Sequence, residues 1–223
     1  MDEQAPDTLL ASVNGREWRL KRPADLDALW SLMDDSDLER IPYWVELWPA
    51  GLFLARWLDS QAHVLAGKRA LDVGCGLGLT ACVAAAHRAR VTALDYELEA
   101  LRYARGNAEL NGVAQPDWVQ MDWWRPGIRG RVFDFVWGAD IFYETHFFDP
   151  LVQLFELALA PGGTVWITEP LRDVSRPVWN RLRARGWKVD LVTREVVNYR
   201  DCSMRVNLWE LQQGAARRDA PRV

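Results

Sequence analysis

Hydrophobic positions along this chain follow two different periods, and the change between them divides it. Residues 9–20 alternate loosely around Asn14-Gly15, a pair suited to a tight hairpin turn, so two short antiparallel strands are predicted there. Pro23 then opens a predicted helix through about residue 38, with Leu26, Leu29, Trp30 and Met33 on one stripe. A second amphipathic helix is predicted over 50–62, after the segment Ile41-Pro42-Tyr43-Trp44-Val45-Glu46-Leu47-Trp48-Pro49. Residues 1–65 thus read as an N-terminal hairpin and helical cap.

From Arg69 onward short apolar runs alternate with stretches of helical period. Strands are predicted at 70–73, 91–95, 118–121, 133–138 and 164–168, with helices at 77–87, 98–111 and 150–159. Pro161-Gly162-Gly163 is expected to stop the last of these helices. A helix at 177–185 and strands at 187–193 and 203–211 complete the pattern. No long helix fits between those two strands, so they are expected to pair antiparallel. The fold class that follows is α/β: a doubly wound, Rossmann-like, seven-stranded and mostly parallel sheet with an antiparallel C-terminal hairpin. The core is assigned to 66–212. Residues 1–8 and 213–223 are polar and expected to be frayed.

Composition narrows the partners. The net charge of −4 comes with dispersed Lys and Arg, which argues against sequence-independent binding to a nucleic-acid backbone. Cys75, Cys82 and Cys202 form no CxxC and sit near no His, so neither a disulfide framework nor a metal site is expected. Met1 is followed by acidic and polar residues, and no run approaches the length needed to span a bilayer. A soluble, cytoplasmic protein without membrane partners is the expectation.

The sharpest chemical signal is Leu71-Asp72-Val73-Gly74-Cys75-Gly76-Leu77-Gly78 between a predicted strand and helix. Glycines there permit a tight turn and let a ligand approach backbone amides at a helix start. The spacing is GxGxG, with Leu79 in the place of a third dinucleotide glycine, which weakens an NAD reading. Cys75 is most simply a small filler. Asp95 ends the next strand, where its carboxylate could accept from ribose hydroxyls, cap the following helix, or do both. Asp122 precedes Trp123-Trp124, a pairing that suits an adenine or, equally, a solvated loop. Acids past the ends of successive strands describe an adenosine pocket with no phosphate binder.

Those residues, with Leu159-Ala160-Pro161-Gly162-Gly163, resemble the motif series of class I S-adenosylmethionine-dependent methyltransferases over about residues 69–211. Pro42-Tyr43-Trp44-Val45-Glu46-Leu47-Trp48-Pro49 and Gly138-Ala139-Asp140-Ile141-Phe142-Tyr143-Glu144 resemble two motifs of the seven-β-strand protein-lysine methyltransferases (the methyltransferase 16 family). The resemblance implies S-adenosyl-L-methionine as cofactor, contacted by Trp48, Gly74, Cys75, Gly76, Asp95, Asp122, Trp123 and Ala139. It also implies that Asp140 and Tyr143 form the catalytic pair facing the acceptor, a lysine of a protein or a small amine. Trp44, Trp48, Phe142 and Tyr143 are expected to make an aromatic channel, with Asp140 or Glu46 orienting the amine. His146 is a further candidate base, or a loop residue. The post-strand motif is not [DN]PPY, which argues against amide and nucleobase acceptors. A small-molecule N- or O-methyltransferase and a non-catalytic cofactor-binding protein are the alternatives.

Overall fold

A computed structural model describes residues 7–25, 42–128 and 130–214. The expected helix at 23–38 lies mostly outside the described residues, as do most of the two tails.

The chain opens with a hairpin, β1 (Asp7–Val13) and β2 (Arg16–Arg22), turning at Asn14 and Gly15, both with positive φ. Asp7 and Thr8 pair with Arg22 and Lys21, so the fraying expected through residue 8 does not extend into β1. Leu9, Ala11, Val13, Trp18 and Leu20 point inward, as the two-residue period requires. The hairpin forms its own two-stranded sheet. A 3-10 turn (Tyr43–Val45) leads into α1 (Pro49–Ser60), which begins with proline at its first position, followed by the short α2 (Ala62–Leu65).

The second sheet holds β3 (Arg69–Val73), β4 (Arg90–Asp95), β5 (Asp117–Gln120), β6 (Phe133–Ala139), β7 (Leu159–Pro170), β8 (Trp187–Tyr199) and β9 (Cys202–Gln213). Their order is β5-β4-β3-β6-β7-β9-β8. The chain steps outward from β3 to β5 and returns to the other side of β3 with β6. The topological switch point therefore lies between β3 and β6, where open α/β sheets bind ligands beyond the strand ends. The first five strands in the order run parallel, and β9 pairs antiparallel with both β7 and β8. The expected seven strands and antiparallel end are present.

Helices cover both faces. On one, α1 and α3 (Leu79–Ala86) pack with the hairpin and with α4 (Leu98–Leu110); on the other, α5 (Phe148–Ala158) and α6 (Arg176–Ala184) pack around Phe142 and Trp179. Leu58, Trp137 and Phe155 are fully buried, and truncating such side chains to alanine typically costs about 2–5 kcal/mol.

Three boundaries differ from the sequence reading. The helix expected from residue 77 starts at Leu79, because Gly78 takes φ +84°. A Cβ there would also lie 2.8 Å from that of Ala104, so the position holds only glycine. Pro161-Gly162-Gly163 lies inside β7, which runs from Leu159 and shifts register opposite Phe133 and Phe135. The glycines form an irregularity in the strand, and Gly162 has φ +76°. Finally, β8 continues to Tyr199 rather than ending at residue 193, since Val197 is buried and the ladder with β9 persists to the turn at Arg200.

Candidate active site

The glycine turn follows β3 directly. Gly74, Gly76 and Gly78 have φ of +70°, +50° and +84°, which closes the chain tightly before α3. At Gly74 a Cβ would stand 3.2 Å from Ile141 and 3.3 Å from the Trp123 ring. The turn after β3 thus touches both the loop after β5 and the loop after β6. Cys75 is buried and donates its backbone N–H to Leu94 O at 2.8 Å, while burial raises its thiol well above the ordinary range. It is a packed filler.

Asp95 closes the floor. Its Oδ2 accepts the Gly76 N–H at 2.8 Å and its Oδ1 accepts the Glu97 N–H at 3.0 Å, so one side chain holds both the glycine turn and the residue just before α4. Burial pushes its carboxyl up to about 6 against the lowering by those two amides. Asp122 is half-buried and accepts the Trp124 N–H at 2.9 Å. Trp123 packs edge-on against Phe147 at 5.2 Å, and its buried indole N–H has no hydrogen-bond partner among the described residues.

Phe147 continues an aromatic series across the site: Tyr143 lies 5.2 Å from it, Tyr43 lies 5.3 Å from Tyr143, and Trp48 lies 6.2 Å from Tyr43. The Trp48 indole N–H donates to Tyr43 O at 2.9 Å, which fixes the segment before α1. Burial raises the Tyr143 and Tyr43 hydroxyls, and the neighbouring Glu144 charge adds to both.

Ala139 ends β6, paired with Thr168, and Asp140 follows with φ +53°. This left-handed backbone is one that Asp and Asn tolerate better than most residues. The Asp140 N–H donates to Thr168 O at 2.7 Å, and its Oδ2 accepts from an Arg172 Nη at 2.7 Å. Burial raises the carboxyl to about 7; Arg172 lowers it and Glu169 raises it further.

The structure thus brings together Trp48, Gly74, Cys75, Gly76, Asp95, Asp122, Trp123, Ala139, Asp140 and Tyr143 around the switch point. Three expectations are corrected. Phe142 is buried in the core against Phe148, Phe155 and Trp179 and lines no channel. Trp44 packs on Tyr103 at 5.8 Å and against Gly76. Glu46 is paired with Arg22, a cation only 3% exposed that also binds Asp7 at 2.9 Å, so it is committed elsewhere. His146 stacks on Trp124 and places Nδ1 3.1 Å from Glu144. Sequence reasoning missed Tyr43, Phe147 and Arg172 as members of this wall. The adjacent Phe147-Phe148 pair was the available signal, since only one of two neighbouring rings packs into the core, whereas nothing local marks Arg172, which lies 32 residues after its partner.

The donor set fits an adenosine-type cofactor: a glycine cradle that a side chain would fill, a buried carboxylate at the end of β4, and an unpartnered indole N–H in the wall. Residues 70–163 match the family described as a methyltransferase domain. The electron transfer flavoprotein beta subunit lysine methyltransferase of Danio rerio is 35% identical over 133 residues, covering 59% of this chain and 51% of that protein. The protein N-lysine methyltransferase METTL21A of Xenopus tropicalis is 30% identical, covering 56% and 60% respectively. The chain therefore spans about half to three-fifths of the length of these two relatives. Among solved structures, a putative RNA methyltransferase from Pyrococcus horikoshii superposes with a TM-score of 0.60 at 20% identity, covering 86% of this chain and 96% of that one, which shows a shared fold. Residues 70–163 thus carry the matched methyltransferase domain, and the fold around them is shared with that solved structure.

Proposed function

We propose that this protein transfers a methyl group from S-adenosyl-L-methionine to a lysine side chain of a protein. The observation that carries the reading is the juxtaposition at the switch point: the glycine turn held by Asp95 on one side, and Asp140 with Tyr43 and Tyr143 on the other. Similarity to proteins named as lysine methyltransferases, over more than half of this chain, supports the same acceptor.

The bound cofactor would supply an electrophilic methyl group on a positively charged sulfur. Gly74 and Gly76 would admit it at the backbone, Asp95 and Asp122 would accept from its hydroxyl and amino groups, and Trp123 would lie against its flat part. The chain's remaining task is to present a neutral amine in line, which can lower a barrier by several kcal/mol without a covalent intermediate. A free lysine has a pKa near 10.4 and must lose a proton first. The wall of Tyr43, Tyr143 and Phe147 removes water from the amine and favours its neutral form, while Asp140 favours the ammonium and orients it. Asp140 is therefore a capture and alignment group, and the proton leaves to water. Its carboxylate already shares charge with Arg172, which moderates its hold on the ammonium. Three cysteines with no disulfide suit a reducing compartment such as the cytoplasm.

Incubating the protein with S-adenosylmethionine labelled in its methyl group and a cell lysate, then hydrolysing the labelled fraction to amino acids, tests the reading. Methyl-lysine in protein is expected. Label confined to small molecules would replace the acceptor, and a melting temperature raised by NAD but not by S-adenosylmethionine would replace the cofactor.

A further inference from the structure

Linked to Asp140 through Arg172 is a cavity of ≈ 220 Å3 between α6, the end of β7 and the middle of β8 and β9. Four arginines line it: Arg172, Arg176, Arg183 and Arg194. At its inner wall Glu169 is 2% exposed, and its carboxylate is fully engaged by neutral donors, with Ser175 Oγ on Oε2 and both Asn207 Nδ2 and the Trp209 indole on Oε1 at 3.0 Å.

The arginines are held by weak partners. Arg194 donates to Asn207 Oδ1 at 2.6 Å, and Arg183 donates to Val189 O at 3.2 Å and Asn180 Oδ1 at 3.5 Å. None of those acceptors carries charge. Among the described residues Arg176 pairs with the exposed Asp173, and Arg172 meets Asp140. Once Asp140 is ionised, Glu169, Asp173 and Asp140 offset three of the four cations, which leaves one positive charge in excess. A singly charged carboxylate matches that excess; a dianionic phosphate would meet the buried Glu169 charge. Arg172 is common to this cavity and to the Asp140 ion pair, so an anion bound here sits within one arginine's reach of the place where the acceptor amine would be held.

We propose that this pocket receives an acidic side chain of the acceptor protein, a few residues along the chain from the methylated amine. The proposal rests on the lysine reading for its geometry, although the binding of the carboxylate can be measured separately. Long-range charge would work against such binding, because the whole chain carries −4. Any preference for acidic peptides must therefore come from local contacts.

The probes are four fluorescein-labelled, C-terminally amidated heptapeptides, so that only side-chain carboxylates are present. A central lysine or norleucine is flanked on both sides by two glutamates or two glutamines, and binding to the full chain is followed by anisotropy. The glutamate peptides are expected to bind about tenfold more tightly than the glutamine peptides, the scale of one charge-assisted contact. Arg183→Gln and Arg194→Gln should each reduce that ratio to within about twofold. These arginines are surface residues, and an unchanged melting temperature would confirm that each variant is folded. Equal binding of glutamate and glutamine peptides, or a preference that survives both substitutions in folded protein, would overturn the proposal. Equal binding of lysine and norleucine peptides with the glutamate preference intact would instead strike the lysine reading and leave the pocket standing.

Discussion

Asp95 accepts the backbone N–H of Gly76 across the space between two strand ends, so the carboxylate at the end of β4 sets the shape of the turn after β3. The same side chain accepts the Glu97 N–H through its other oxygen. Asp95→Asn keeps the volume but turns an amide NH2 toward one of those two donors. One hydrogen bond is lost and a buried N–H is left unpaired, at a cost of about 1–3 kcal/mol. A lowered denaturation midpoint and weaker binding of S-adenosylhomocysteine in calorimetric titration are expected together. Unchanged binding would remove Asp95 from the cofactor site.

Asp140 needs a different substitution. Its φ of +53° means that Asp140→Ala adds roughly 1 kcal/mol of backbone strain to whatever chemistry is removed. Asparagine tolerates that backbone, so Asp140→Asn isolates the charge. Turnover of a lysine acceptor should fall by about 100-fold or more, the scale of a lost alignment, while cofactor affinity stays near that of the parent. Single-turnover methyl transfer compared with cofactor titration separates the two effects.

The carboxyl of Asp140 is raised to about 7, so it becomes anionic as pH rises through neutrality. Ionisation creates the group that captures the ammonium, and kcat/KM should climb through about pH 7. In Asp140→Asn that step should vanish, leaving only the slope from deprotonation of the lysine itself. A profile identical in both proteins would assign the step elsewhere.

Stability should move in the opposite direction. Asp72 is buried, accepts from Thr80 Oγ1 at 2.6 Å, and burial raises its carboxyl to about 6, as for Asp95. These groups and Asp140 hold their protons more tightly in the folded state than in the unfolded chain, where Asp titrates near 3.9. Between those values the folded state binds more protons, so stability falls as pH rises from about 4 to about 7 and is regained on acidification over the same window. Melting curves at pH 5.5 and 7.5 should show the higher midpoint at the lower pH, and Asp72→Asn should shrink the difference.

Asn107 offers a prediction outside the chemistry. It is fully buried on α4, accepts the Lys21 N–H at 2.7 Å, and donates to Lys21 O and to Leu77 O, each at 3.1 Å. It thereby fastens the N-terminal hairpin to the end of the glycine turn. Asn107→Ala strands backbone groups on both and should destabilise by about 2–4 kcal/mol. Cofactor binding should weaken with it, which titration on the folded fraction would reveal.

How far the sequence spoke depends on the range of each interaction. The strand–turn–helix run ending at Gly78 and the position of Asp95 were legible because backbone conformation and strand ends are local properties. The orientation of Phe142 was not, since Asp140, Phe142 and Tyr143 share one loop and only packing against Phe155 and Trp179 turns the phenylalanine inward. Glu46 misled for a related reason: its partner Arg22 lies 24 residues earlier, and no spacing rule links them. The Asp140–Arg172 pair and the extension of β8 likewise depend on contacts made only after the sheet assembles.

The ring of charges around Glu46 has a consequence for how the molecule is made. Arg22, Glu46 and Arg200 come from the first quarter of the chain and from near its end, and Arg200 approaches Glu46 to 3.8 Å from the turn joining the last two strands. During synthesis the early segment must wait for almost the whole polypeptide before this cluster can close. Assembly that depends on such distant partners is slow and leaves apolar surface open in the meantime. Truncation just before the final strand keeps Arg200 but removes β9, which lies between β7 and β8, and should yield nascent chains that engage chaperones and never mature, even though every residue of the glycine turn has already been translated.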